Sequence, residues 1–303
     1  MKAAVIDMGT NTFHLIIASV ADGKVEVIYK TNVPVKLGEG RVNENIIIPE
    51  AFERGLQALS QFKAEIEKQG VDCIKATATS AVRSAVNGEE FVKAVLAKTG
   101  ITIDVIDGEQ EAQYIFKGVQ ATGTISATSL IMDIGGGSTE FIICRPDEVL
   151  WKKSYNIGAA RLMQAFFKSD PISEADQFAI REHLSKVLAD FKLACESFQP
   201  TVLIGSAGAF ETFAVLIQKD LDIENVASAT ISIPRYQELA ARLLASTHEE
   251  RTQMEGLIPL RVDMIVMAVV LTNYVLEEIK PEKIWLSTYD LKMGVLNSLL
   301  QKV

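Results

Sequence analysis

The sequence is short of the residues from which most metal centres and nucleophilic triads are built. Its three cysteines, Cys73, Cys144 and Cys195, are odd in number and widely spaced, so no disulfide framework or thiolate metal site is spelled out. Free thiols fit a reducing compartment, and a cytoplasmic location is expected. Cys73 and Cys144 fall in strand patterns and are expected to be buried and unreactive. The three histidines, His14, His183 and His248, share no spacing, and no Ser–His–Asp pattern accompanies them. His183 and His248 are expected as solvated helix residues. No apolar run reaches the length of a membrane span; the longest, MIVMAVVLTNYVL at 264–276, is short and carries Thr272 and Asn273. The N-terminus enters a strand, AAVID, with no signal-peptide architecture. Positive charge is in deficit as well: the formal net charge is −9, which excludes a general nucleic-acid binder. Any polyanion must then be held by local cations and metal ions.

What the chain does have is apolar residues, 48% of 303, enough for two domains with substantial cores. KAAVIDMGTNTFHLIIASVADGKVEVIYKT reads as three strands, with turns at GTNT and at ADGK (21–24). Residues 49–70 are helical, with Phe52, Leu56, Leu59, Phe62 and Ile66 at helical spacing. CIKATATS is a strand, NGEEFVKAVLAKTG a helix capped by Asn87, ITIDVID a strand and EQEAQYIFKGVQ a helix. The second half restarts this plan with SLIMDIGGGSTEFIICRPDEVLWKKSY, then helices near 158–168 and 173–197, the strand TVLIGSAG, a buried helix at 261–280, the strand KIWLST and a last helix. Strands alternating with helices predict an α/β fold. VIDMGTNTFHLII (5–17) lies over IMDIGGGSTEFII (131–143) without a gap, so the halves are two copies of one unit. The expected domains are 1–124 and 125–303, facing each other across a cleft.

Each copy ends a strand with Asp and turns through small residues into the next strand. Such a turn lets a ligand approach the backbone, and successive N–H groups in it form an anion nest. Thr10, Asn11 and Thr12 in one copy, and Gly135, Gly136, Gly137 and Ser138 in the other, are therefore candidate phosphate binders. One glycine would satisfy an ordinary hairpin; three in a row and a matching copy point past it. Asp7 and Asp133 precede these turns. A phosphate beside a carboxylate is repelled by about 4 kcal/mol per close pair at intermediate dielectric, and a divalent cation reverses the sign. Mg²⁺, with its preference for oxygen ligands, is the expected cofactor, and Asp7, Asp133 and Glu140 are its candidate ligands. Arg83, just after the strand of ATATSAVRSAVN, reads either as a clamp for phosphate oxygens or as a surface salt-bridge partner. Glu109 and Glu111 open a helix, where acidic residues also serve the helix dipole; spacing leaves both readings open. Gly205 and Ser206, in IGSAGAFET, read either as a second phosphate or nucleotide site or as tight strand–helix packing.

These motifs, in this order, resemble the exopolyphosphatase/guanosine pentaphosphate phosphatase (Ppx/GppA) family of the actin-like ATPase superfamily. The resemblance runs through VIDMGTNTFHL, KLGEG, ATATSAVRSAVN, VIDGEQEAQYIFKGV, LIMDIGGGSTEFI, IGAARLMQAFF, IGSAGAFET, PLRVDMIV and WLSTYDLKMGVL. It implies two duplicated ribonuclease H-like (actin-like ATPase) domains flanking a cleft, and Mg²⁺-dependent hydrolysis of a terminal phosphoanhydride. The implied substrate is inorganic polyphosphate or guanosine pentaphosphate. By the same resemblance Glu111 activates water, Asp133 and Glu140 serve metal and water positioning, and Arg83 and the two turns bind phosphate. A homodimer is a family-level expectation. The chain departs from the family pattern in GTNT, where Ser commonly follows Gly, in His14, often Arg, and in STYDLKMG, which puts Asp290 and Lys292 in place of Gly and Arg of GLREG. It is expected as the short, two-domain type, without the additional helical region of longer members. A small-molecule kinase on the same fold and a non-catalytic polyphosphate or nucleotide sensor are the alternatives from other classes.

Overall fold

The computed structural model describes residues 1–21, 24–206 and 208–300. It divides into two compact units, Met1–Gly118 with the chain from Leu291, and Val119–Asp290. Each has its own hydrophobic core.

The first unit folds as β1 (Lys2–Met8), β2 (Phe13–Ala21), β3 (Lys24–Val33), α1 (Pro49–Lys68), β4 (Cys73–Ala78), α2 (Ser80–Ser84), α3 (Gly88–Thr99), β5 (Ile103–Val105) and α4 (Gly108–Gln120). Its sheet runs β3-β2-β1-β4-β5, the expected ribonuclease H-like order. β1 is antiparallel to β2 and parallel to β4, and β4 is parallel to β5. The segments that follow β1, β4 and β5 therefore leave the sheet along one edge, at the strands' carboxyl ends, where open α/β sheets bind ligands.

The second unit folds as β6 (Ser129–Ile134), β7 (Thr139–Arg145), β8 (Glu148–Tyr155), α5 (Ala159–Phe166), α6 (Glu174–Val187), α7 (Ala189–Phe198), β9 (Val202–Ser206), α8 (Gly208–Ile217), β10 (Ser228–Ile231), α9 (Ile233–Ala245), α10 (His248–Thr252), α11 (Met264–Ile279) and β11 (Lys283–Ser287). From β8 its sheet reads β8-β7-β6-β9-β11, the same order, with β10 added antiparallel at the edge. The duplication reaches single residues. Asp7 pairs across its ladder with His14 and Asp133 with Glu140, so the positions aligned between the copies are paired alike. The second and third strands of both units shift register at the same aligned place, Ile17/Ala18 and Ile143/Cys144.

Several local expectations change. The helix expected over 173–197 is divided at Leu188, between α6 and α7. Asn87 occupies the cap position of α3 but does not cap it. Its side chain instead brackets Ile47, accepting from the amide at 3.1 Å and donating to the carbonyl at 2.9 Å. Cys144 is buried and Cys73 only half-buried. Burial pushes the thiols of Cys144 and Cys195 up to about 12. His183 is half-buried with its ring 5.2 Å from that of Phe166, whereas His248 is exposed. The turn expected at 21–24 centres on Asp22 and Gly23, which lie outside the described residues. Among the described residues no helix is long and apolar enough to cross a membrane; the apolar α11 is buried in the second core instead.

The last helix, α12 (Leu291–Leu300), does not stay with residues 125–290, as a domain spanning 125–303 had it. It packs on β1, β2 and β3 of the first unit. It also lies backbone to backbone on α4: a Cβ at Gly294 would stand 1.8 Å from the Tyr114 carbonyl oxygen, and Lys117 Nζ donates to Ser298 Oγ at 3.3 Å.

Two stability measurements follow from these packings. Gly294→Ala is expected to destabilise the fold by about 1–3 kcal/mol in thermal unfolding, as an overpacked contact does. Helix propensity alone would stabilise it. In the second unit, Asp176 accepts from the Ser169 hydroxyl at 2.6 Å and from the amides of Ser169 and Lys168. The Ser169 hydroxyl, ahead of these amides, holds the carboxyl below its ordinary value. A folded-state value below the unfolded one stabilises above the unfolded carboxylate range and is lost as pH falls through the folded value. The stability gap between wild type and Asp176→Asn is therefore expected to be full at neutral pH and to close on acidification.

Candidate functional site

The turn between β6 and β7 has all three glycine carbonyls tied down. Gly135 O accepts from the Ala159 amide at 2.9 Å, and Gly136 O from Ala160 at 2.9 Å and Arg161 at 3.3 Å. Gly137 O accepts from the Gly158 amide at 3.4 Å and from Arg161 Nε at 2.9 Å. The donors are the first amides of α5, which helices leave unpaired, together with a buried guanidinium. Peptide planarity then fixes the rest: a carbonyl drawn toward α5 turns the next N–H the opposite way. The amides of Gly136, Gly137 and Ser138 all point away from the helix. Those of Gly136 and Gly137 have no acceptor among the described residues. That is the geometry of an anion nest. The close approach explains Gly158, where a Cβ would stand 2.4 Å from the backbone of Gly136.

The turn after β1 is built the same way from different residues. Gly9 N donates to Thr12 O at 3.2 Å, as Gly135 N does to Ser138 O at 3.0 Å. Thr10 O accepts from the Gly38 amide at 3.0 Å and Asn11 O from the Lys36 amide at 2.7 Å, so the N–H groups of Asn11 and Thr12 face outward. In both units the clamp comes from the segment after the third strand. Val35 N bonds Val33 O, and Ile157 N bonds Tyr155 O, before each chain reaches its turn. Thr10 is buried, with its methyl against Gly38.

Along the same edge of the first sheet, Arg83 and Glu111 meet. Arg83 Nη1 donates to Glu111 Oε2 at 2.8 Å and to the Ile106 carbonyl at 2.9 Å. Arg83 stands in α2, which follows β4; Ile106 and Glu111 follow β5. Glu111 is 6% exposed, while the Arg83 side chain is 22% exposed. Among the described residues Nε and Nη2 of Arg83 have no acceptor, which leaves one edge of the guanidinium for a bidentate ligand.

In the second unit Asp133 and Glu140 face each other across the β6–β7 ladder. Asp133 Oδ2 accepts from Ser206 Oγ at 3.0 Å, and Glu140 Oε1 from Ser154 Oγ at 2.6 Å. Two adjacent carboxylates, each oriented by a hydroxyl, fit Mg²⁺, which takes one or two carboxylates and keeps waters. Among the described residues no group of three or more His, Cys, Asp or Glu could hold a metal. Asp7 faces His14, not a second carboxylate. Ser206 thus bears on the candidate metal carboxylate. Gly205 has a packing reason to be glycine, since a Cβ would stand 1.9 Å from the Phe210 ring. Sequence reasoning missed Lys36, Gly38, Gly158, Arg161 and Ser154. The first four lie in KLGEG and IGAARLMQAFF, segments of the family resemblance that carried no role, shortly after the third strand of each copy.

Comparison with known proteins bears on this arrangement directly. Residues 16–303 match the family model described as the Ppx/GppA phosphatase family. A putative exopolyphosphatase of Haemophilus influenzae is 29% identical over 98% of this chain and 91% of its own length. A guanosine-5'-triphosphate,3'-diphosphate pyrophosphatase of Pseudoalteromonas translucida is also 29% identical over 99% of this chain, which spans only 59% of that relative. Among solved structures, an exopolyphosphatase from Cytophaga hutchinsonii superposes with a TM-score of 0.97 at 39% identity, covering 100% of this chain and 99% of that one. The Aquifex aeolicus member of the Ppx/GppA family gives 0.84 at 28% identity, covering 100% and 98%.

The clamp is testable without turnover. Gly158→Ala is expected to lower stability by about 1–3 kcal/mol in denaturant unfolding, because a Cβ cannot enter without displacing the turn. It should also weaken binding of tripolyphosphate measured by calorimetry.

Proposed function

This chain belongs to the Ppx/GppA phosphatase family, and we propose that it removes the terminal phosphate of inorganic polyphosphate by attack of a water that Glu111 deprotonates. It is a phosphoanhydride hydrolase, as the relatives' names are. The observation that carries the reading is the Arg83–Glu111 pair. One guanidinium nitrogen fixes the carboxylate, and the opposite edge remains for phosphate oxygens. A base must be held within hydrogen-bond reach of its water, and a buried carboxylate anchored by an arginine is so held.

The other residues take roles that their surroundings support. Asn11 and Thr12 in the first unit, and Gly136, Gly137 and Ser138 in the second, bind phosphate oxygens through outward amides, while Thr10 and Gly135 shape the two turns, the Gly135 amide being taken by Ser138 O. Asp133 and Glu140 would hold Mg²⁺, with Asp7 as a further oxygen donor. A Mg²⁺ held by these carboxylates would supply charge neutralisation for the phosphoryl group. Ser206 and Ser154 keep the two carboxylates aimed. Arg83 stabilises negative charge on the transferred phosphoryl group, where positioning and electrostatics do most of the catalysis. The two relatives at 29% identity are named for different substrates, one as a putative exopolyphosphatase and one as a guanosine-5'-triphosphate,3'-diphosphate pyrophosphatase, so guanosine pentaphosphate is the second substrate to be measured.

Glu111→Gln is expected to lower orthophosphate release from polyphosphate by about 10²–10⁴-fold, the span of general-base effects, with an unchanged circular dichroism spectrum. Full activity in that variant would remove Glu111 from the mechanism. Chelation of divalent cations should abolish release and added Mg²⁺ restore it; activity that survives chelation would reject the assignment of Asp133 and Glu140. Turnover of polyphosphate and of guanosine pentaphosphate, compared in one preparation, separates the two substrates.

A further inference from the structure

Lys36 is one of four described non-glycine residues with positive φ, at +50°. A lysine in the left-handed region is strained, and such strain persists where something else requires it. The backbone here does not require a side chain. Counted from the end of the third strand, Lys36 occupies the place in its unit that Gly158 occupies in the other, at φ +50° against −64°, and the two donate their amides to the aligned carbonyls of Asn11 and Gly137. A glycine would adopt the φ of Lys36 without strain and donate the same amide. Lys36 keeps a side chain at a conformational cost, next to the turn, with its N–H on Asn11 O at 2.7 Å. The side chain is exposed, and no ion pair of it is present among the described residues. Its carbonyl is held from the far side by Arg54 Nη2 at 3.4 Å, and that of Val35 by Arg54 Nε at 2.8 Å, so the loop that carries it is anchored. In a chain of net charge −9, a cation carried on an anchored loop next to an anion-binding turn is what a polyanion needs.

We propose that Lys36 is a phosphate-binding residue of this enzyme, supplying its ammonium to a phosphate of the chain seated on the Thr10–Thr12 turn. This rests on the reading of that turn as a phosphate site. It sets affinity rather than the chemical step, because an ammonium on a flexible stem acts as a point charge.

The test compares wild type, Lys36→Gly, Lys36→Gln and Lys36→Arg in the full chain. It measures thermal unfolding, calorimetric binding of tripolyphosphate at two salt concentrations, and KM and kcat for polyphosphate with Mg²⁺. Lys36→Gly is expected to unfold at the same or a higher temperature, since glycine relieves the strain. It should bind tripolyphosphate about five- to tenfold more weakly, with a smaller salt dependence and KM raised against a nearly unchanged kcat. Lys36→Gln should show the same weakening, and Lys36→Arg should recover most of the affinity. Wild-type affinity in both Gly and Gln variants would overturn the proposal, as would a wild type that binds no tripolyphosphate. A wild type that binds tripolyphosphate in a Lys36-dependent way but releases no orthophosphate would support the proposal and reject the hydrolase reading of the site.

Discussion

The structure depends on which way a few peptide planes face. In each unit a tight turn after the first strand has its carbonyls pulled down by amides of the segment that follows the third strand. A planar peptide cannot have both its polar groups on one side, so the neighbouring N–H groups are turned out. Without the clamp the same glycines would be a flexible hairpin tip, with amides free to bond water or their own chain. The two units reach this result with different material, a helix N-terminus and Arg161 in one, an irregular loop anchored by Arg54 in the other.

Charge is distributed to match. A phosphate chain approaching a protein of net charge −9 meets repulsion everywhere except where cations and oriented dipoles have been gathered. The first unit gathers Arg83, Lys36 and outward amides along one sheet edge, with Glu111 buried beside Arg83. The second offers the glycine nest and a pair of carboxylates suited to a divalent cation. The carboxylates would oppose phosphate on their own, and a divalent cation held between them would reverse that.

Much of this was legible in the sequence because duplication is visible in side chains. The gapless match of 5–17 with 131–143 aligned Asp7 with Asp133 and His14 with Glu140, and the two hairpins do pair these aligned positions alike. The clamp was not legible, since backbone amides donate it and Lys36, Gly38, Gly158 and Ala160 share no side-chain chemistry. The pairing of Arg83 with Glu111 spans 28 residues, and only the parallel order β1-β4-β5 brings their loops together. Glu111 alone looked equally suited to a helix dipole. The return of α12 to the first unit was hidden for a similar reason: an apolar helix face does not say which sheet it will cover.

The central claim is that the outward amides of the two turns, not their side chains alone, hold phosphate. The most direct measurement is a backbone ¹⁵N–¹H titration with tripolyphosphate. The account predicts that the amides of Gly136, Gly137 and Ser138, with those of Asn11 and Thr12, move together and saturably downfield, as amides that gain a charged acceptor do. Binding that leaves these five amides unmoved and shifts only side-chain resonances would contradict it.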